Sequence, residues 1–487
     1  MSRHTLKDFA PSPQGAVCLW TEAFASAIEA CREAGGGTVF VPAGEYLTGP
    51  IHLCSNLTLE LEAGAVVRFT DDFDAYPIVP TRWGGNMVHA FSPLIYGNGL
   101  ENVRICGRGV FDGQGKAWWD EYYRLAKAGV LGPYDARTRA IAAANPGHEQ
   151  MGHGGGGFEY LFLRPALLQL LECRHVHIEG VTLRNSPFWN THVVLCDDVT
   201  VSNARFQNPE EAPNGDGLDI DSSTCVRVSD CHFDVGDDCL CLKSGVDADG
   251  LRVGRPTENV TIVNCTMRKG HGGVVLGSES AGDIRQVVVS NCIFDGTERG
   301  IRVKSRRGRG GVIEDFRVVN VIMRDVGCPF ALSGYYWCGT PEARREWVAS
   351  PEAQPVTEET PLLRNFQFAH ITCRRARWGA GVFQGLPEAP IENLLLDDVL
   401  VEMDPEGDAG LAEGGWGLPH PLRGAPMLAS HVVNGCFRNV RVTGVLPQSG
   451  GFASAPGAFD ALLRPGTPGE AVEPFAFLDS ADIRRLD

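Results

Sequence analysis

The chain has 487 residues, with 43 Lys and Arg against 60 Asp and Glu, for a net charge of −17. That balance lacks the basic footprint a nucleic-acid binder needs, so nucleic acid is excluded as a partner. Hydrophobic residues make up 43%, enough to bury a core, and no apolar run reaches the roughly 18 residues of a membrane-spanning helix, so no membrane partner is expected.

The first residues carry no apolar stretch followed by small residues, so no export signal is visible and the expected location is cytoplasmic, or extracytoplasmic if a signal has been removed. Residues 1–45 read as an N-terminal cap. Ala23, Phe24, Ala27, Ile28, Ala30 and Cys31 fall on helical spacing before Gly35-Gly36-Gly37. Such a helix would close the open end of a stacked β structure, whose unpaired edge otherwise invites aggregation.

From residue 46 to 445 a short phrase recurs: a polar residue, then alternating β-branched residues. It stands at Asn102-Val103-Arg104-Ile105, His175-Val176-His177-Ile178, Asp198-Val199-Thr200-Val201, Cys225-Val226-Arg227-Val228 and Asn259-Val260-Thr261-Ile262. From Val176 the steps are 23, 27, 34, 27 and 29 residues, ending at Phe316. No unit is long enough to bury its own face, so the units must stack. A propeller needs longer units and a leucine-rich repeat needs leucine at fixed offsets. The fold expected is all-β: a right-handed, single-stranded parallel β-helix with one turn per unit. Cys231, Cys265 and Cys292 follow the repeated strand at one offset, as an interior ladder requires. The sixteen cysteines contain no Cys-x-x-Cys pair and read as buried free thiols. No metal and no cofactor is expected.

Residues 113–158 interrupt the repeat with Trp118, Trp119, Tyr122, Tyr123 and a helical stretch over 137–144. A long insertion in a solenoid marks a loop on one face, often the binding face. Residues 446–487, rich in Gly, Pro and Ala, read as a tail packed on the solenoid.

Four polar segments fall in successive units: Asn214-Gly215-Asp216, Asp237-Asp238, Gly270-His271-Gly272 and Arg302-Val303-Lys304. Stacking would gather three carboxylates. Like charges raise one another's pKa, which suits a pair of one protonated acid and one ionised base for glycoside hydrolysis. Arg302 and Lys304 are two apart, so both leave a strand on one face and would hold an acidic sugar's carboxylate. Arg306, Arg307 and Arg309 extend them into a run of five cations in eight residues, expected to steer an anionic substrate despite the acidic chain.

These segments resemble those of glycoside hydrolase family 28, the polygalacturonases, whose hallmarks are Asn-Thr-Asp, Asp-Asp, Gly-His-Gly and Arg-Ile-Lys. Gly215 and Val303 depart from that pattern; every polar position is kept. The likeness spans roughly residues 35–325. It extends through Phe111-Asp112-Gly113-Gln114-Gly115, Asn185-Ser186-Pro187-Phe188-Trp189 and Gly272-Gly273-Val274-Val275-Leu276-Gly277-Ser278-Glu279. The longer phrases are most similar to bacterial exo-poly-α-galacturonosidases. The resemblance implies a pectin lyase-like solenoid, a pectic oligosaccharide or polysaccharide as substrate, and inverting hydrolysis of α-1,4-linked galacturonic acid from the chain end. It implies Asp237 as general acid, with a raised pKa, and Asp216 and Asp238 as the residues that hold and deprotonate water. His271 tunes the acid. Asn214, Arg302 and Lys304 bind substrate, and Lys243 is a further candidate for the sugar carboxylate. Trp189 and His192 read either as sugar-lining or as core. Tyr335, Tyr336 and Trp337 read either as a stacking platform or as buried.

Three other readings stay open on sequence alone. One is a related pectic linkage. Another is a Ca²⁺-dependent lyase using the same aspartates. The third is a solenoid that binds glycan without cleaving it. Nothing in the sequence specifies an oligomeric state.

Overall fold

The computed structural model describes residues 2–11, 19–129, 136–153, 156–412, 421–446 and 474–486. The chain is a parallel β-helix that divides into two compact units, Met1–Met151 with Gly155–Asp238, and Gly152–Gly154 with Cys239–Asp487.

In the first unit each coil gives one strand to each of three parallel ladders. One ladder runs through Leu57–Leu61, Glu101–Gly107, Arg174–Glu179, Asp197–Ser202 and Thr224–Ser229. A second runs through Ala65–Phe69, Val110–Asp112, Thr182–Arg184, Arg205–Gln207 and His232–Asp234. The third comprises Ile95–Asn98, Leu168–Leu171, Thr191–Val194 and Leu218–Asp221. The repeated phrase sets the register: Val103, Val176, Val199 and Val226 lie opposite one another, all buried.

The second unit repeats the plan. Its phrase aligns Val260, Val287, Phe316, Phe366 and Leu394. A ladder through Leu240–Lys243, Val274–Gly277, Arg299–Lys304, Cys328–Ser333, Gly379–Gln384, Ala425–Ser430 and Phe475–Leu478 runs beside it.

The polar residue that opens each phrase has a backbone reason. Asn102, His175, Asp198, Cys225, Asn259, Gln286, Asp315, Asn365 and Asn393 all have φ between +53° and +62°. That left-handed conformation favours Asn, Asp and His, whose presence there bends each coil at the same point. Asparagines at this level also join neighbouring coils: Asn102 Nδ2 donates to Asn56 Oδ1 at 2.8 Å, and Asn393 Nδ2 to Asn365 Oδ1 at 2.8 Å.

At the N-terminus, helix α1 (Thr21–Glu33) buries Ala23, Phe24, Ala27, Ile28 and Cys31. Ser2–Thr5 adds a parallel strand beside Gly37–Val41. The stretch over 113–158 forms α2 (Lys116–Ala128) and α3 (Ala136–Ala144). Trp118 of α2 is fully buried, its ring 4.2 Å from Phe73. Beyond residue 446, residues 447–473 lie outside the described residues. Phe475–Leu478 and Arg484–Leu486 then rejoin the ladders. Every described cysteine is a free thiol, and Cys231, Cys265 and Cys292 are buried at 2%, 1% and 1% exposure.

Candidate active site

In the first unit, Asn214 and Asp216 sit on the loop entering the third ladder at Leu218–Asp221, and Asp237 and Asp238 sit on the loop that follows the strand His232–Asp234. The Asp216 carbonyl accepts from Asn190 N at 2.9 Å and the Asp238 carbonyl from Gly217 N at 3.0 Å. Asn208 Nδ2 donates to the Gly215 carbonyl at 3.0 Å. These bonds lock both loops. Asp216 and Asp238 are buried, while Asp237 is half-exposed. Asp237 Oδ1 accepts from Asp238 N at 2.9 Å.

A residue that sequence reading passed over stands behind this loop. Arg164, fully buried, donates through Nη2 to Asn214 Oδ1 at 2.8 Å and through Nη1 to the Pro213 carbonyl at 2.6 Å. Burial pushes its guanidinium down to about 10, against the opposing charges of Asp216 and Asp237. Asp216 and Asp237 therefore share the field of one cation.

A hairpin of Ile78–Trp83 and Asn86–Phe91 lies over the third ladder of this unit. Trp83 stacks on Phe188 at 4.7 Å. Arg82 pairs with Asp221 at 3.0 Å, and both side chains are fully buried. His192 Nε2 is 3.3 Å from the same carboxylate, and its Nδ1 is 3.0 Å from Gln169 Nε2. Trp189 and His192, which read either as sugar-lining or as core, are 4% and 1% exposed.

In the second unit, His271 follows Gly270, whose φ of +79° turns the chain there. His271 Nδ1 lies 2.8 Å from Glu298 Oε2. Burial alone would raise the Glu298 pKa, but the bond to His271 and the charges of Arg299, His271 and Arg302 outweigh it and hold it at about 2. Glu298 is a second residue the motifs missed. The step from His271 to Glu298 is 27 residues, the same as from Val260 to Val287, which the register places opposite each other. Scanning one repeat step on from each motif residue would have found it.

Arg302 and Lys304 leave one face of the strand Arg299–Lys304, as their spacing requires. Both are nearly buried, at 5% and 6% exposure, with the Tyr336 ring 5.5 Å from each charged end. Two cations beside an aromatic ring are chemically suited to an anionic group. Tyr335 is buried and holds the Arg307 guanidinium at 5.3 Å, whereas Trp337 is 51% exposed.

Two expectations are corrected here. The run beyond Lys304 is not an exposed basic field. Arg306 and Arg309 are buried and both reach Asp247, at 3.2 and 2.7 Å. Arg307 is buried in a two-pronged pair with Glu388, at 2.6 and 2.8 Å. Glu388 offsets the charge of Arg307, and Asp247 offsets one of the two charges on Arg306 and Arg309, so little of the run is left to steer with. Lys243, in turn, is 3% exposed and bound to the buried Glu279 at 2.8 Å. Burial opposes ionisation of Glu279, but the charges of Lys243, Arg309 and Lys304 hold its pKa below the usual carboxylate range.

Residues 163–345 match the family described as glycosyl hydrolases family 28. A probable polygalacturonase of Vitis vinifera is 29% identical over 395 residues, covering 79% of this chain and 71% of the relative. The exo-poly-α-D-galacturonosidase of Dickeya chrysanthemi is 29% identical over 320 residues, 60% of this chain and 50% of the relative. The structure of a hyperthermoactive exopolygalacturonase from Thermotoga maritima is similar over 91% of each chain, with a TM-score of 0.72 and 28% identity.

Proposed function

From the premise that this chain belongs to glycoside hydrolase family 28, we propose that it hydrolyses α-1,4-linked galacturonic acid from the ends of pectic oligosaccharides, without metal. The observation that carries this reading is the pairing of Arg302 and Lys304 beside Tyr336. A uronate carboxylate beside these two cations would gain charge-assisted hydrogen bonds that a neutral sugar cannot make.

In this reading Asp237, the exposed member of the trio, donates its proton to the glycosidic oxygen as the C–O bond breaks. Asp216 and Asp238 take a proton from the attacking water, whose oxygen bonds to the anomeric carbon from the opposite side. The configuration inverts and the protons balance. His271, held by Glu298, tunes the acid. Lys243 keeps Glu279 charged and supports the site through it.

Action at the chain end is supported by the hairpin over residues 78–91. With Arg82 on Asp221, it leaves Gln169, His192 and Asp221 no exposure above 2%. A chain threading along that part of the third ladder would have to displace a buried ion pair.

The test is a time course on galacturonate oligomers of defined length, with EDTA present and products separated by size. Free galacturonate from the first time point supports the reading. Mid-sized products first mean internal cleavage. Loss of activity with EDTA, and products absorbing as unsaturated uronates, mean a lyase.

A further inference from the structure

Arg164 has no ordinary reason to be where it is. It is a fully buried cation, and among the described residues no carboxylate pairs with it directly. A buried charge is costly unless hydrogen bonds or opposite charges compensate it. Here the compensation is spread over three stretches of chain. The 113–158 stretch supplies the Tyr122 ring at 4.3 Å and the Gly156 carbonyl at 3.2 Å. The Ser186–Phe188 turn supplies the Pro187 carbonyl at 3.0 Å and the Phe188 ring at 5.0 Å. The acid-bearing loop supplies the Pro213 carbonyl at 2.6 Å and Asn214 Oδ1 at 2.8 Å. Only a planar fork with several donors fixed in direction meets four acceptors at once; an ammonium does not.

We infer that Arg164 is a positioning residue for hydrolysis, resting on the function proposed above. It fixes the side chain of Asn214, two residues before Asp216, and ties the acid-bearing loop to α2 and the 113–158 stretch, so that the two are ordered together. The insertion then acts on the chemistry through Arg164, whether or not it touches substrate.

The test uses the full chain, with Arg164→Lys, Asn214→Ala and the double variant assayed on trigalacturonate. Arg164→Lys should lose about tenfold or more in kcat, with KM changed by less than about threefold, because the loop is misplaced rather than removed. The double variant should be no worse than the poorer single one, since both break the same contact. Hydrogen exchange of the same proteins without substrate should show residues 116–128 and 212–217 losing protection together, with the 257–263 strand unchanged. A folded Arg164→Lys with wild-type kcat, additive losses, or unchanged exchange overturns the inference. If wild type cleaves no galacturonate oligomer, the functional reading fails, while the exchange result still decides the role of Arg164. Should Arg164→Lys not fold, Tyr122→Leu removes the ring and keeps the cation. It should loosen both segments, and an unchanged exchange pattern there overturns the inference equally.

Discussion

His271 Nδ1 and Glu298 Oε2 are 2.8 Å apart, and the Glu298 backbone N donates to the Gly270 carbonyl at 2.8 Å. The imidazole is therefore held by the Glu298 side chain, and the turn that carries it by the Glu298 backbone. A carboxylate on Nδ1 fixes the ring's orientation.

That carboxylate should show itself in the pH dependence of stability. Its ordinary pKa of 4.5 falls to about 2 in the folded chain. A depressed carboxylate pKa contributes stability that is fully present above about 4.5 and is lost as pH falls through about 2. Glu298→Gln should melt below wild type at neutral pH, and the gap should close between pH 4.5 and 2. Melting temperatures across that range check it; a gap that persists at pH 2 would contradict the pairing.

Asp237→Asn should abolish turnover while leaving binding. Removing a general acid costs about 100- to 10,000-fold in rate, and the isostere keeps the acceptor for Asp238 N. Reducing-end assays with calorimetry on galacturonate oligomers separate the two effects. A comparable loss of affinity would point to a binding role instead.

Arg302→Met and Lys304→Met should each lower kcat/KM on galacturonan by about tenfold to a hundredfold, the worth of one charge-assisted hydrogen bond. Methyl-esterified substrate lacks the charge and should be affected far less. Equal losses on both substrates would sink the carboxylate receptor.

Glu388→Gln should destabilise without touching catalysis. It removes the charge paired with the buried Arg307 guanidinium, a change costing up to about 3–5 kcal/mol. Chemical denaturation should show the loss, and KM of the folded enzyme should be unchanged. A raised KM would instead return Arg307 to the substrate-steering role its sequence context suggested.

The sequence by itself determined the coil. Register in a parallel β-helix follows from alternating apolar residues, because slipping one residue would expose the whole buried set. That is why Val103, Val176, Val199 and Val226 align by sequence alone, and why Arg302 and Lys304 fall on one face. The polar residue opening each phrase was visible too, but its cause was not: a φ near +55° is a conformational demand, not a composition.

Only the tertiary structure decided which charges are spent. Arg306, Arg307 and Arg309 look like a basic patch when read along the chain. Asp247 lies 59 and 62 residues from Arg306 and Arg309, and Glu388 lies 81 from Arg307. Such partners follow no repeat step, because they come from the loops between strands. Arg164 and Asn214, 50 residues apart, are hidden for the same reason. Strand ladders repeat because backbone pairing forces a constant rise per coil, so their contacts can be counted out in sequence. Loop contacts are set by where buried charge finds compensation, and only the folded chain shows that.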